Sequence, residues 1–231
     1  IPEIIKKIPS IKHVIISKYP GQPEIKKLPI YKFVKVYNWE KIIKQSDPEL
    51  IFSKFDFEHE LAVVYSSGTT GIPKCICHKT GGVLLQHLKE HQLHSDIKEN
   101  DNVFYFTTCG WMMWNWLISV LASKASIVLF DGFPMFKKHD LLLRMVEKEK
   151  ISLFGVSAKY IDSLRKTKKN FKKKYKLSKL RTICSTGSPL SEDSFNYVYK
   201  NIKKNVHLSS ISGGTDIVSC FVLGNLYQPV Y

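Results

Sequence analysis

The apolar run Leu61–Val64 leads into Tyr65-Ser66-Ser67-Gly68-Thr69-Thr70-Gly71, and Lys74 follows after Ile72-Pro73. Glycines accept positive φ and let the backbone approach a ligand closely, so successive amides can converge on an anion. The Ser and Thr hydroxyls add neutral donors, and Lys74 adds a compact cation. These residue types at this spacing suit the cradling of a phosphate chain. The pattern is not the Walker loop, because Gly71 and Lys74 are separated by Ile-Pro and G-x-x-x-x-G-K-[ST] is absent. Pro73 and "KCICH" read as an extended segment rather than a helix that follows at once. A plain Ser/Thr/Gly turn is the alternative that composition alone leaves open.

Other candidates carry less. Cys75, Cys77 and His78 resemble metal ligands, but no second pair stands at zinc spacing, and neighbours on a strand point to opposite faces. His78 alone reads first as a structural histidine. Asp131-Gly132 ends an apolar run, where open α/β sheets bind ligands, or where an ordinary turn lies. The formal charge of +15 arises from 35 Lys plus Arg against 20 Asp plus Glu. Much of the excess sits in Lys166–Lys179, "KTKKNFKKKYKLSK", and only three arginines occur, so bidentate readout of nucleic acid is not the expectation. The basic stretch reads as a solvated joint.

The elements that must position these residues follow from periodicity. Short β-branched runs give strands at 12–17, 31–37, 61–65, 75–78, 103–106, 126–130, 152–156, 182–185 and 206–210. Helical patterns cover 39–45, 81–93, 111–122, 139–148, 159–166 and 192–202, with Asn38 and Ser191 at N-cap positions. From about residue 100 strands and helices alternate, which argues for parallel βαβ units. The connector-like stretches 19–29 and 46–60 set a small α/β segment, 1–54, apart from a larger part, 55–231. With 44% hydrophobic residues a sizeable core is available. No uncharged apolar run approaches the roughly 18–20 residues of a membrane span. Five cysteines, an odd number in a chain too large to need staples, fit a reducing compartment, and a cytosolic location is expected.

"YSSGTTGIPK" (65–74) resembles the signature loop of the adenylate-forming superfamily, which includes acyl-CoA synthetases, luciferases and peptide-synthetase adenylation domains. The resemblance implies an α/β fold with a mostly parallel sheet and helices on both faces, of which 55–231 is the AMP-binding core. It assigns Ser66, Ser67, Gly68, Thr69, Thr70, Gly71 and Lys74 to the β- and γ-phosphates of ATP. "STGSPL" (185–190) is similar to the adenine-side loop, through Gly187, Ser188 and Pro189, and "SGGTD" (212–216) to a strand-end motif. That motif pairs a phosphate-contacting Thr215 with a Mg²⁺-associated acid, usually Glu and here Asp216.

"QHLKEHQLHSD", "TTCGWMMWNW", "LFDGFP" and "SISGGTDIVSCF" resemble the branch of the superfamily that activates acetoacetate. The implied small-molecule substrates are acetoacetate, ATP and CoA, with Mg²⁺ as cofactor. The implied acyl pocket comprises Trp111, Met112, Met113, Thr186, Gly213 and Gly214. Relatives that take acetate carry a Trp where Gly213 stands, so loss of the indole makes room for a four-carbon acid. Trp114 and Trp116 read as core. The family's ribose-binding Asp, hinge and lid domain with its catalytic Lys are expected beyond Tyr231, and a chain beginning at Ile1 reads as a piece of a longer one. The isolated piece is expected to be incomplete for catalysis. A remnant that binds nucleotide without catalysis, or a ligase for another short acid, fits the same residues.

Overall fold

The computed structural model describes residues 1–19, 21–23, 29–45, 49–66, 71–136 and 139–228. The chain divides into two compact units, Ile1–Lys54 and Phe55–Tyr231. In the first, helix α1 (Pro2–Lys7) starts on a proline, which needs no hydrogen-bond partner there. Strand β1 (His13–Ile16) pairs in parallel with β2 (Lys35–Asn38), and α2 (Trp39–Gln45) follows directly. The Asn38 side chain accepts from the Lys41 amide at 3.2 Å, the capping role its position suggested. The strand expected over 31–37 is shorter, because Tyr31 bridges Val34 across a turn.

The second unit opens with an antiparallel hairpin, β3 (Glu60–Ser66) and β4 (Lys74–Lys79). Helix α3 (Thr80–Lys89) follows and widens into a π-helical turn, Glu90–His94. Then come β5 (Asn102–Tyr105), α4 (Met113–Ser119), β6 (Ser126–Ile127), α5 (Leu141–Lys148), β7 (Leu153–Ser157), α6 (Ala158–Lys166), β8 (Thr182–Thr186), α7 (Glu192–Tyr197) and β9 (His207–Ser210). The strands form one parallel sheet in the order β6-β5-β7-β8-β9. Alternation sorts its side chains. Phe104, Phe154, Ile183 and Leu208 face the helices α5, α6 and α7. Val103, Tyr105, Leu153 and Cys184 face α3 and α4. Strands β5, β7 and β8 therefore carry apolar residues on both faces, as a sheet covered on both sides requires. The Ser191 hydroxyl accepts from the Ser194 amide at 3.3 Å and caps α7.

A second hairpin, β10 (Ser212–Gly214) with β11 (Ser219–Val222), was not legible in the sequence. Its first strand is Ser-Gly-Gly, among the weakest strand formers. The basic segment 166–179 also differs from the expected solvated joint. Its lysines face water, but Phe171 and Leu177 are buried in the core, as is the adjoining Leu180. The Tyr197 hydroxyl donates to the Lys169 carbonyl at 2.8 Å, and the Lys203 ammonium to that of Leu177. Among the described residues no helix is long and apolar enough to cross a membrane.

Candidate functional site

The site begins where the parallel strands end. The β5–β6 and β6–β7 connections run in opposite directions across the sheet, which opens a crevice at the carboxyl ends beside β5 and β7. A cavity of about 580 Å³ lies on that edge. One wall is Trp111 and Met112, at the entry to α4. A second is Thr186, which ends β8, with Gly187, Ser188 and Pro189. The third is the β10–β11 hairpin, through Ser212, Gly213, Gly214, Thr215 and Val222. Gly187 turns the chain away from β8 at φ +92°, a conformation that side chains rarely adopt.

The β3–β4 hairpin that flanks residues 67–70 reaches the same corner through its strands. Ser66 and Lys74 are cross-strand partners at its tip, and Gly71 has φ +137°. Ser67, Gly68, Thr69 and Thr70 lie outside the described residues. A second cavity of about 470 Å³ is lined by Ala62–Tyr65 of β3, by Cys109–Met112, Trp114 and Asn115, and by Thr215. It shares Trp111, Met112 and Thr215 with the first. His78 on β4 donates from Nε2 to the Thr215 carbonyl at 3.0 Å. That imidazole ties the β3–β4 hairpin to the stretch 212–216, a role its isolated position in the sequence did not reveal. Cys75 and Cys77 are exposed on the opposite face of β4.

Two features behind the walls escaped sequence reasoning. Tyr105 on β5 lies over Gly155 on β7, and its buried hydroxyl hydrogen-bonds the Thr186 hydroxyl. A Cβ on Gly155 would meet the Tyr105 ring at 2.1 Å, so the glycine inside a strand was the available signal. Burial raises the phenol's pKa far above its ordinary value, which keeps the Tyr105 hydroxyl neutral.

The other feature is the inward stripe of α3 and its π-turn. Glu90 is fully buried, and its carboxylate accepts from Gln86 Nε2 at 3.1 Å, Trp116 Nε1 at 2.8 Å, the Ser219 hydroxyl and the Cys220 amide at 3.1 Å. His87 donates from Nε2 to the Val218 carbonyl at 2.6 Å, and His94 from Nδ1 to that of Gly224 at 3.0 Å. Burial lowers the His87 pKa, and the Val218 carbonyl and Glu90 oppose it. His91 is buried edge-on against Trp116 at 4.3 Å between ring centroids. Neither of its ring nitrogens has a hydrogen bond of good geometry; burial and then the neighbouring His87 push its pKa down to about 3, against a weaker pull from the Trp116 backbone.

Most of the expected pocket is gathered: Trp111, Met112, Thr186, Gly187, Ser188, Pro189, Gly213, Gly214 and Thr215 share one cavity. Met113 does not join them. As the first residue of α4 it turns into the core and is 2% exposed. Trp116 is core, whereas Trp114, expected there too, lines the second cavity and a third of about 500 Å³ that also includes Asp131 and Gly132. Asp216 is exposed beside Thr215 and does not line the main cavity. No group of three or more metal-ligating side chains occurs among the described residues.

The comparisons with known proteins bear on the family and the fold. The family model described as AMP-binding enzyme matches residues 5–226. The chain is 53% identical over 182 residues to an acetoacetyl-coenzyme A synthetase of Rhizobium meliloti, covering 79% of this chain and 28% of that protein. It is 45% identical over 233 residues to an acetoacetyl-CoA synthetase of Gallus gallus, covering 99% of this chain and 34% of the relative. The solved structure of an acetoacetyl-CoA synthetase from Streptomyces lividans superposes with a TM-score of 0.83 at 34% identity, over 97% of this chain and 35% of that one. The chain thus spans about a third of the length of the relatives it matches. It shares their fold and belongs to the family of AMP-binding enzymes.

Proposed function

We propose that the protein carrying this chain is an ATP-dependent acid–thiol ligase that activates acetoacetate as acetoacetyl-AMP and transfers it to CoA. The observation that supports this reading is the single cavity shared by Trp111–Met112, Thr186–Pro189 and Ser212–Thr215, three stretches distant in sequence that meet at the carboxyl edge of the sheet. A carboxylate oxygen of the acid attacks the α-phosphorus of ATP and pyrophosphate departs; the CoA thiol then attacks the acyl carbon and AMP departs. In this reading Gly187, Ser188 and Pro189 receive the adenine, Thr215 the phosphate, and Trp111, Met112, Gly213 and Gly214 the acyl chain. Lys74, Ser66, Gly71 and the loop residues 67–70 hold the β- and γ-phosphates. Such donors stabilise the charge that builds on phosphate oxygens as the anhydride forms. Tyr105 orients Thr186 from behind.

Asp216, an exposed carboxylate, would fit a Mg²⁺ site completed by phosphate oxygens and water, since Mg²⁺ commonly binds through one or two carboxylates plus phosphates. Bound there, the ion neutralises phosphate charge. The experiment is acid-dependent ATP–pyrophosphate exchange by the whole protein with acetate, acetoacetate, butanoate and hexanoate. Acetoacetate should lead the panel by about tenfold or more in kcat/KM. Exchange that no acid stimulates would overturn the ligase reading and favour a binding remnant. A different preferred acid would overturn the acetoacetate assignment alone.

A further inference from the structure

Two walls of the main cavity are held by one buried group. Trp116 lies on the helix that begins beside Met112, one turn further along, about 6 Å up the axis. Cys220 and Ser219 are the cross-strand partners of Gly213 and Gly214. Glu90 touches both: Oε2 accepts from the Trp116 indole, and Oε1 from the Ser219 hydroxyl and the Cys220 amide. The π-turn lets Glu90 and its neighbour His91 both be fully buried, which adjacent positions of a regular surface helix seldom achieve. Gln86, one turn earlier, completes the shell from the same helix.

We propose that Glu90 is a positioning residue that fixes the spacing between the Trp111–Met112 wall and the Ser212–Gly214 hairpin, and thereby sets which acids the cavity accepts. The inference rests on the ligase reading for the identity of what fills the cavity. A carboxylate is needed because it offers acceptors at both ends. An amide accepts at one end only. In Glu90→Gln the amide oxygen can keep the Ser219 and Cys220 contacts, but its NH₂ then faces the Trp116 indole N–H, donor against donor. The α4 wall is pushed off while the hairpin stays. Loss of a mere structural bond would lower stability and every kinetic constant together; a displaced wall changes the acid site and spares the nucleotide site.

The test uses the whole protein, in wild-type, Glu90→Gln, Trp116→Phe and doubly substituted forms. ATP–pyrophosphate exchange is measured with acetoacetate and hexanoate, beside hydrogen exchange of the Trp116 indole and Cys220 amide. Glu90→Gln should raise KM for acetoacetate about tenfold, leave KM for ATP within about twofold, and shift the hexanoate-to-acetoacetate ratio about tenfold towards the longer acid. Adding Trp116→Phe to Glu90→Gln should leave a shift no larger than Trp116→Phe alone gives, because the opposing donor is gone and only the lost link remains. Should Glu90→Gln not fold, Trp116→Phe alone should shift the ratio in the same direction, and an unshifted ratio then overturns the proposal. Parallel loss for all acids and ATP, or an unchanged ratio in folded Glu90→Gln, overturns it too. A wild-type protein inactive with every acid overturns the ligase reading and the selectivity claim with it. The hydrogen exchange then decides the bracket: faster exchange of the Trp116 indole in Glu90→Gln upholds it, and unchanged protection overturns it.

Discussion

His91 offers a quantitative prediction about acid stability. Its ring has 0% exposure, its burial against Trp116 disfavours the imidazolium, and His87 stands 6.0 Å away. Its pKa is pushed down from 6.5 to about 3 in the folded state. Below pH 6.5 the unfolded chain takes up a proton that the folded chain refuses. The stability present above that pH is therefore lost as pH falls, and the loss continues to about pH 3. Each unit of difference is worth about 1.4 kcal/mol, so at pH 5 the loss from this group is about 2 kcal/mol relative to pH 8. His91→Leu removes the titration while keeping an apolar side chain of similar bulk. Urea unfolding of wild type and variant at pH 8, 7, 6 and 5 reads the effect as a difference of differences, which cancels the contributions of His87 and His207. The wild-type-minus-variant stability should fall by about 2 kcal/mol from pH 8 to pH 5. A change below about 0.5 kcal/mol would mean that His91 carries its proton in the fold, and the argument from burial would fail.

Gly155→Ala should be destabilising by about 1–3 kcal/mol, because the new methyl meets Tyr105 ring carbons at 2.1–2.5 Å. By displacing the Tyr105 hydroxyl from Thr186 it should also raise KM for acetoacetate. A thermal melt and an acetoacetate titration check both effects, and a wild-type melt contradicts the packing argument. At Gly213 a Cβ would come within 2.2 Å of the Ser219 carbonyl oxygen, so any side chain forces the β10–β11 hairpin open. Gly213→Ala should accordingly lower activity with acetate and acetoacetate alike, at a stability cost of about 1–3 kcal/mol. A gain in acetate preference with unchanged stability would show that Gly213 acts only as empty pocket volume.

The residues that line the main cavity were legible because they sit in short contiguous stretches at strand ends, where backbone freedom and hydroxyls reveal themselves. Gly187, with its positive φ, and Thr215, touching His78, occupy the corner that the motifs indicated. The framework behind the cavity was not legible. Gln86, His87, Glu90, His91 and His94 lie in or beside the helical pattern at 81–93, which names no partner for them, yet they meet Trp116 and the stretch Val218–Gly224, the latter about 130 residues away. A polar stripe that faces inward is indistinguishable by period from one that faces water. Met113 erred for a related reason: three consecutive residues cannot all face one cavity once a helix begins between them. Gly213 has a second explanation in hairpin closure, which no pattern of residue types could supply.

The central claim is that one cavity at the sheet edge holds an acyl-adenylate. A crystal structure of the whole protein with a non-hydrolysable acetoacetyl-adenylate mimic tests it most directly. The account predicts adenine against Gly187–Pro189, the linkage beside Thr215, and the acyl group between Met112 and Gly213. A mimic seated instead among Thr107, Cys109 and Asp131, or nowhere in this unit, would contradict it.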